Sequence, residues 1–212
     1  LKKVAHGDRP FFAYIAPKAC HEPFTPATWY ADYWAPSWPP QEPRPVSWNS
    51  SFEDRADHHG VVAKNPMISE KCADFVTTSF KNRWRSLMSV DDVIDEVVSF
   101  IETEQLDNNT YFIYSSDHGF QVRPVRLFLL FGLSTSTRLI NVVFCFDFVQ
   151  LGEFNLLIDK RQVYDHDVRI HNLIRGPGIK AGSTYPWIGT NVDQAPSWLG
   201  LAGVDKPSLM DG

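Results

Sequence analysis

The central segment of the chain reads Thr110-Tyr111-Phe112-Ile113-Tyr114-Ser115-Ser116-Asp117-His118-Gly119. Its first six residues are rich in aromatic and β-branched side chains, which predicts a buried strand. Upstream, apolar residues recur at steps of three and four between residues 79 and 106, which predicts an amphipathic helix. Helix, turn, strand and a polar cluster form the pattern of an α/β crossover. In open α/β sheets, ligand sites lie at the carboxyl ends of the strands.

The amino-terminal part of the chain predicts a second strand and a long loop. Residues 11–16 are apolar and too few for a helix, so we expect a buried strand there. The stretch 17–48 holds eight of the 15 prolines and four tryptophans, at positions 29, 34, 38 and 48. Proline removes backbone donors and disfavours helix, so this stretch predicts an irregular loop. Its aromatic residues either form a small core of their own or line a substrate cleft.

The composition of the 212 residues bounds the class of protein. A hydrophobic fraction of 43% and a charged fraction of 21% predict a globular domain and exclude a disordered tail or a coiled coil. The formal net charge of −5 argues against a general nucleic-acid or anionic-membrane binder. Three cysteines are too few for a disulfide scaffold. The chain begins at Leu1 without a leader pattern and ends at Gly212, and we expect it to be a fragment.

Residues 122–150 differ in composition from the sequence around them. Two short apolar runs are separated by Arg138, so a transmembrane helix of about 20 apolar residues is not expected. One interpretation is a pair of added core strands. The preferred interpretation is a retained intron of 29 codons, since Gln121-Val122-Arg123 can be encoded as a splice donor and Gln150 as an acceptor. We therefore expect 122–150 to be a non-native insert within a partial catalytic domain spanning 1–212.

Several segments outside 122–150 carry a family resemblance. They are Arg9 to Ala16, Cys20-His21-Glu22-Pro23-Phe24, Arg83 to Asp92, Ser115 to Gln121, Asp159 to Arg169, Leu173 to Ile179, Asn191 to Pro196 and Met210-Asp211-Gly212. In this order they resemble the sulfatase family, and within it the N-acetylglucosamine-6-sulfatases and related glycan 6-O-sulfatases. The resemblance implies an alkaline-phosphatase-like α/β sandwich, a mixed sheet with helices on both faces, only part of which is present here.

The resemblance also implies a chemistry. Sulfatases are sulfuric ester hydrolases that use a formylglycine nucleophile, made from the cysteine of a Cys-x-Pro-x-Arg motif, and a calcium ion held by oxygen ligands. None of Cys20, Cys72 and Cys145 has that context, so the nucleophile is expected upstream and the fragment alone is expected to be inactive. The implied substrate is the 6-O-sulfate of glucosamine-type residues in sulfated glycans, as in glycosaminoglycan degradation.

Four residues match the family's site positions. Asp117 is implied as a calcium ligand, the carboxylate being the ligand type that Ca²⁺ prefers; the alternative is a turn residue before Gly119. His118 follows it and either coordinates the ion or hydrogen-bonds near it. His21 matches a histidine at the sulfate or leaving oxygen, although a histidine in such a loop is more often a satisfied polar residue. Lys160 matches a lysine that binds a sulfate oxygen, with an ordinary solvated lysine as the alternative.

Other residues are given smaller roles. His58, His59 and His166 are interpreted as surface or packing residues. The glycosylation sequons at Asn49 and Asn108 favour the secretory route, and the implied location is lysosomal or secreted. Asn172 stands where relatives carry an apolar strand residue, which predicts an unfavourable buried amide.

Two other functions remain open. One is a non-catalytic glycan-binding pseudoenzyme, and the other is a phosphoester hydrolase of the same superfamily, in which serine or threonine replaces the modified cysteine.

Overall fold

A computed structural model describes most of the chain. It covers Leu1, Ala5 and residues 10–33, 44–118, 138–144, 152–157 and 162–212. For residues 138–144 only the backbone is described, and the side chain of His166 is not described. Trp34, Trp38, Cys145 and Lys160 lie outside the described residues. Within the part that is described, no helix is long and apolar enough to cross a membrane.

The core of the fold is a mixed four-stranded sheet. Its strands are β1 (Phe12–Ile15), β2 (Thr110–Ser116), β3 (Arg138–Phe144) and β4 (Leu173–Arg175), in the spatial order β1-β3-β2-β4. The strands β1, β3 and β2 are parallel, and β4 is antiparallel to β2. The two strands expected from the apolar runs at 11–16 and 110–115 are therefore confirmed, each within a residue or two of its expected bounds.

The longest helix is α2, over Glu70–Thr103; the shorter helices are α1 (Gly60–Ala63), α3 (Asp165–Val168) and α4 (Gln194–Leu201). The expected start of the long helix at residue 79 is wrong by nine residues. The hydroxyl of Ser69 accepts a hydrogen bond from the Cys72 backbone N–H and caps the true start. Val76 and Phe80 continue the apolar stripe toward this start and pack in a buried cluster of their own, so the stripe from Leu87 onward underestimates the length of the helix.

The two faces of the sheet are covered by different helices. On one face, Val90, Val97 and Ile101 of α2 form a buried cluster against Ala13 and Phe112. On the other face, the indole ring of Trp198 in α4 lies 5.7 Å from the ring of Phe12 and 6.5 Å from that of Tyr14. Alternation along β1 sends successive side chains to opposite faces. The expected α/β sandwich, a mixed sheet with helices on both sides, is confirmed.

Strand β3 falls within the segment expected to be an insert. It lies between β1 and β2, with Leu139 opposite both Phe12 and Tyr111. The rest of residues 122–150 lies outside the described part, and only one strand of the added pair considered above is described there. The retained intron stays a prediction, and its test is given below.

The asparagine expected to be buried in β4 is not buried. Asn172 is exposed, and the strand begins one residue later, at Leu173. The predicted desolvation penalty therefore does not arise, because the amide remains in contact with solvent.

Candidate active site

The polar cluster at the end of β2 is centred on the Asp117 carboxylate. Its Oδ1 accepts hydrogen bonds from the His118 backbone N–H at 3.1 Å and from the Ser116 hydroxyl at 3.3 Å. Oδ2 lies 3.5 Å from Nε2 of His118. The Asp117 side chain is 47% exposed, so the carboxylate is held in place by its neighbours and is still accessible to a ligand.

A second pair of side chains supports this strand end from α4 and the turn before it. The Asn191 amide Nδ2 donates to the Asp117 carbonyl oxygen at 2.9 Å and lies 3.4 Å from that of Ser116. The Gln194 amide Nε2 donates to the Ser115 hydroxyl at 3.0 Å and to the amide oxygen of Asn191 at 2.5 Å. The sequence motifs did not indicate a role for these two amides, although their segment carries part of the family resemblance. An Asn and a Gln three residues apart at a helix start were the signal.

A capping box fixes the turn that carries Asn191. The Thr190 backbone N–H and hydroxyl both donate to Oδ2 of Asp193, at 2.9 and 2.8 Å. These hydrogen bonds, the backbone one first, lower the pKa of Asp193 below its ordinary value. The short turn is therefore held in one geometry at neutral pH.

The His21 loop follows the carboxyl end of β1. The backbone N–H of His21 donates to the Lys18 carbonyl at 2.8 Å, and ring atom Nδ1 lies 2.9 Å from the Glu22 carbonyl oxygen. A carbonyl can only accept, so in neutral His21 Nδ1 carries the proton and Nε2 carries the lone pair. The preceding Cys20 is fully buried against α2. A buried thiol packed among apolar side chains is typical of a structural cysteine.

The topology brings the two predicted loops to the same edge of the sheet. Both β1 and β2 run parallel to β3, and Ile15 and Tyr114 lie opposite the same residue, Val142. The His21 loop and Asp117 therefore both follow the carboxyl ends of parallel strands.

Burial raises the pKa of the Tyr114 hydroxyl, and the neighbouring Asp91 and Cys20 raise it further.

The Pro-rich loop is attached to α2 through one carboxylate. The Trp29 indole N–H and the Tyr30 hydroxyl donate to Asp92, at 3.2 and 2.8 Å. The hydrogen bond to Asp92 is the main cause of the raised pKa of the Tyr30 hydroxyl. The ring of Trp29 remains 69% exposed, whereas Trp48 packs against the buried cluster of Val76 and Phe80. Trp48 therefore packs on α2 rather than in a separate core of the loop, and a substrate-cleft role for Trp29 stays a prediction.

Calcium fits the donor chemistry at Asp117 only in part. An accessible carboxylate oxygen is a suitable ligand, while imidazole nitrogen at His118 is a poor one for a hard cation. Among the residues that the structure describes, no group of three or more His, Cys, Asp or Glu side chains forms a metal-binding cluster. Further carboxylate ligands of a complete site would therefore come from beyond the described residues.

The other predicted residues are placed as follows. The ring of His58 packs 4.7 Å from that of Phe154, and His59 stacks on Tyr164 at 6.2 Å, in line with packing roles. Asn108 is exposed in a 3-10 turn, Asp107–Asn109. Asn49 adopts a positive φ of 53°, and its side-chain oxygen accepts from the Ile68 backbone N–H at 2.6 Å.

Comparison with known proteins decides the family. A model of the sulfatase family matches residues 1–204. The chain belongs to the sulfatase family. Human N-acetylglucosamine-6-sulfatase is 32% identical over 207 residues, which cover 96% of this chain and 31% of that protein. An arylsulfatase of Volvox carteri is 30% identical over 230 residues, covering 96% of this chain and 30% of the relative.

Two further similarities involve smaller parts of this sulfatase chain. An extracellular sulfatase homologue of Drosophila melanogaster is 34% identical over 139 residues, covering 65% of this chain and 10% of that protein. A solved structure of a protein in complex with its substrate, D-glucosamine-2-N,6-O-disulfate, is 31% identical with a TM-score of 0.47, covering 65% of this chain and 22% of that one. The sulfatase chain described here spans about a third or less of the length of these relatives.

Proposed function

We propose that the protein containing this chain is a sulfuric ester hydrolase that removes the 6-O-sulfate from glucosamine-type residues of sulfated glycans. The observation that carries this proposal is the sulfatase match over residues 1–204, together with 32% identity to human N-acetylglucosamine-6-sulfatase over 96% of the chain. The placement of the His21 loop and Asp117 at one sheet edge supports it, because both predicted groups then serve one site.

In the proposed reaction, one water hydrolyses the C–O–S ester: the bond between sulfur and the sugar oxygen breaks, and the products are the sugar alcohol and hydrogen sulfate. The leaving alkoxide oxygen must gain a proton. His21 supplies that proton in its protonated form, and the Glu22 carbonyl beside Nδ1 orients the ring. Asp117 contributes a carboxylate to calcium, which when bound neutralises the charge on the sulfate oxygens. Lys160 binds a sulfate oxygen as a point charge. The formylglycine nucleophile is not among the 212 residues.

The proposal places the protein in a lysosome or outside the cell. The exposed Asn108 is the proposed N-glycan acceptor, since its side chain projects from a surface turn. Asn49 is the weaker candidate, because its amide oxygen is bound to the chain at Ile68. The proposed partner is a sulfated glycan.

The test is sulfate release from N-acetylglucosamine 6-sulfate by the full-length protein. Asp117→Asn and His21→Ala are each expected to lower kcat/KM by about a hundredfold or more. The control is Asp74→Asn, an exposed carboxylate on α2 outside the site. Removal of calcium with a chelator is expected to abolish activity until calcium is returned.

Other outcomes contradict the proposal. Glycan binding without turnover points to a pseudoenzyme, and release of phosphate but not sulfate points to a phosphoester hydrolase. The 212-residue chain alone is expected to leave an aryl sulfate intact, and appreciable turnover by it would show that the nucleophile has been misplaced.

A further inference from the structure

A large cleft has a lining that does not include the residues at the carboxyl end of β2. Its volume is about 1040 Å³. Ligand sites in proteins typically have about 300–1,000 Å³, so the cleft is large enough for more than one sugar ring. It is lined on one side by residues 45–51, Asp54, Arg55 and Met67, and on the other by the pairs Glu153–Phe154 and Tyr164–Asp165.

We propose that this cleft, here called the 45–55 cleft, is a subsite for the unsulfated sugar residues that neighbour the sulfated one. This inference rests on the proposed function, and it names a part of the glycan that the sulfate-binding residues do not contact.

The wall formed by residues 50–67 is held rigidly by a buried arginine. Arg55 is fully buried, and its guanidinium donates to four backbone carbonyl oxygens, those of Ser50, Ser51, Val62 and Asn65, at 2.7–3.2 Å. With its donors engaged in this way, Arg55 fixes the shape of the wall and is not available to bind a ligand anion. The cleft is therefore formed before any ligand arrives, which lowers the entropic cost of binding.

The opposite wall is tied to the first by an asparagine. Asn155 is 4% exposed, and its amide nitrogen donates to the carbonyl oxygens of Ser50 and Pro66, at 3.0 and 3.1 Å. These bonds join segments about a hundred residues apart in sequence and set the width of the cleft next to Phe154.

The aromatic surface available to a sugar is that of Phe154 and Tyr164. Their ring centroids are 5.1 Å apart, and both side chains line the cleft. His58 supports them from one side, with Nδ1 2.9 Å from the Tyr164 hydroxyl. Trp48 is less available, because the Arg44 guanidinium lies over its ring at 3.6 Å. Aromatic walls with a few fixed polar groups are the usual composition of a ligand site.

The charged residues that line the cleft determine which kind of sugar can bind beside Phe154 and Tyr164. Three carboxylates line the cleft, Asp54, Glu153 and Asp165, together with the guanidinium of Arg55. Two more guanidinium groups lie beside the lining, that of Arg44 over the Trp48 ring and that of Arg169 3.9 Å from Oδ2 of Asp165. Hydrogen bonds from the Ser51 hydroxyl and backbone N–H lower the pKa of Asp54, so it is charged at neutral pH. Carboxylates accept hydrogen bonds from sugar hydroxyl or ammonium groups and repel sulfate. Each of the three guanidinium groups is engaged with a residue of the chain, Arg55 with carbonyl oxygens, Arg44 with Trp48 and Arg169 with Asp165. The fitting ligand is therefore an unsulfated sugar, neutral or amine-bearing.

The chain itself limits how far this cleft can be from the proposed sulfate contact. Lys160 is four residues from Tyr164, and four residues span at most about 14 Å. A short oligosaccharide covers that distance. One glycan can therefore present its 6-O-sulfate to the site while its neighbouring residues enter the cleft.

The test compares two substrates of the full-length protein, N-acetylglucosamine 6-sulfate and a tetrasaccharide with the same sulfated residue and unsulfated neighbours. Asp165→Lys is expected to lower the ratio of kcat/KM for the tetrasaccharide to kcat/KM for the monosaccharide about tenfold. The reason is the loss of the hydrogen bond from the neighbouring sugar to the Asp165 carboxylate. The substitution is also expected to improve turnover of a tetrasaccharide with a sulfate on the neighbouring residue. The control is Asp74→Lys, with the same change of charge at an exposed site outside the cleft.

The subsite proposal would be overturned if Asp165→Lys and the control had the same ratio of kcat/KM for tetrasaccharide and monosaccharide while both still turned over the monosaccharide. An N-glycan found at Asn49 by glycopeptide mass spectrometry would also overturn it, because that glycan would occupy the mouth of the cleft. Failure of the wild-type protein to cleave the monosaccharide counts against the proposed function instead. In that event, saturable binding of an unsulfated tetrasaccharide that Asp165→Lys weakens would still support the subsite.

Discussion

The side-chain amide of Asn191 donates a 2.9 Å hydrogen bond to the carbonyl oxygen of Asp117, across 74 residues of sequence. The bond fixes the backbone from which the proposed calcium-binding carboxylate projects. Asn191 does not need to contact the ion to influence it, since a ligand's affinity depends on how well its neighbours orient it.

Loss of the Asn191 amide is therefore expected to weaken calcium binding. Asn191→Ala in the full-length protein should raise the calcium concentration needed for half-maximal activity about 10- to 100-fold, the usual effect of removing a group that orients a metal ligand. Excess calcium should restore much of kcat. Val192→Ala, at an exposed neighbour on the same turn, is the control. A lower kcat that calcium does not restore would mean that Asn191 supports folding alone.

The capping box at Thr190 and Asp193 predicts a pH-dependent stability. Because the pKa of Asp193 is lowered in the folded protein, its charged form favours folding above the unfolded pKa of about 3.9. That contribution is lost as the pH falls through this value and below it. Asp193→Asn is expected to lower Tm by a few degrees at pH 7, and the difference from the wild-type Tm should shrink as the pH falls below the unfolded pKa, as measured by calorimetry. A Tm difference that stays constant over this range would contradict the assignment, and Asp205→Asn, at an exposed carboxylate, is the control.

The turn after β4 offers a matched pair of glycines. A Cβ at Gly176 would overlap the ring of Tyr111, whereas Gly178 has open space but a φ of +78°. Gly176→Ala is expected to cost about 1–3 kcal/mol through overpacking, and Gly178→Ala about 1–2 kcal/mol through backbone strain. In a Tyr111→Ala background, the destabilisation by Gly176→Ala should become smaller, whereas that by Gly178→Ala should not change. A double-mutant cycle based on urea unfolding would measure both free energies. Equal costs in both backgrounds would contradict the packing argument.

The prediction that residues 122–150 are a non-native insert can be tested by strand spacing. Ala13 and Phe112 both lie opposite Ile140, so β3 separates them by two inter-strand steps, about 9.6 Å. A disulfide requires Cα atoms within about 7 Å. If the mature protein lacks 122–150 and β1 pairs directly with β2, Ala13→Cys with Phe112→Cys is expected to form a disulfide.

A control separates this result from chance oxidation. The pair Phe12→Cys with Phe112→Cys places the two side chains on opposite faces and should stay reduced in either case. Sequencing of the mature transcript gives the independent answer. If abundant transcripts contain the 29 codons, the segment is genuine protein and the intron hypothesis fails.

Local periodicity was enough to predict β1, β2, the apolar stripe of α2 and the polar cluster at Asp117. The start of α2 was placed nine residues late, because its first turns depend on the Ser69 cap and on packing by Val76 and Phe80. The roles of Asn191 and Gln194 had no periodic signal. Their partners lie on β2, more than 70 residues away, and become neighbours only when α4 packs on the sheet.

The sequence by itself determined the α/β class, the two strands with polar residues at their carboxyl ends, and the sulfatase family. These follow from short-range patterns of apolar and turn residues and from motifs that need no coordinates. Only the tertiary structure decided that the His21 loop and Asp117 share one sheet edge, that Arg55 is buried among four carbonyl groups, and that a carboxylate-lined cleft forms between segments about a hundred residues apart. The physical reason is that such contacts depend on how distant segments pack, and burial then sets which polar groups must find partners.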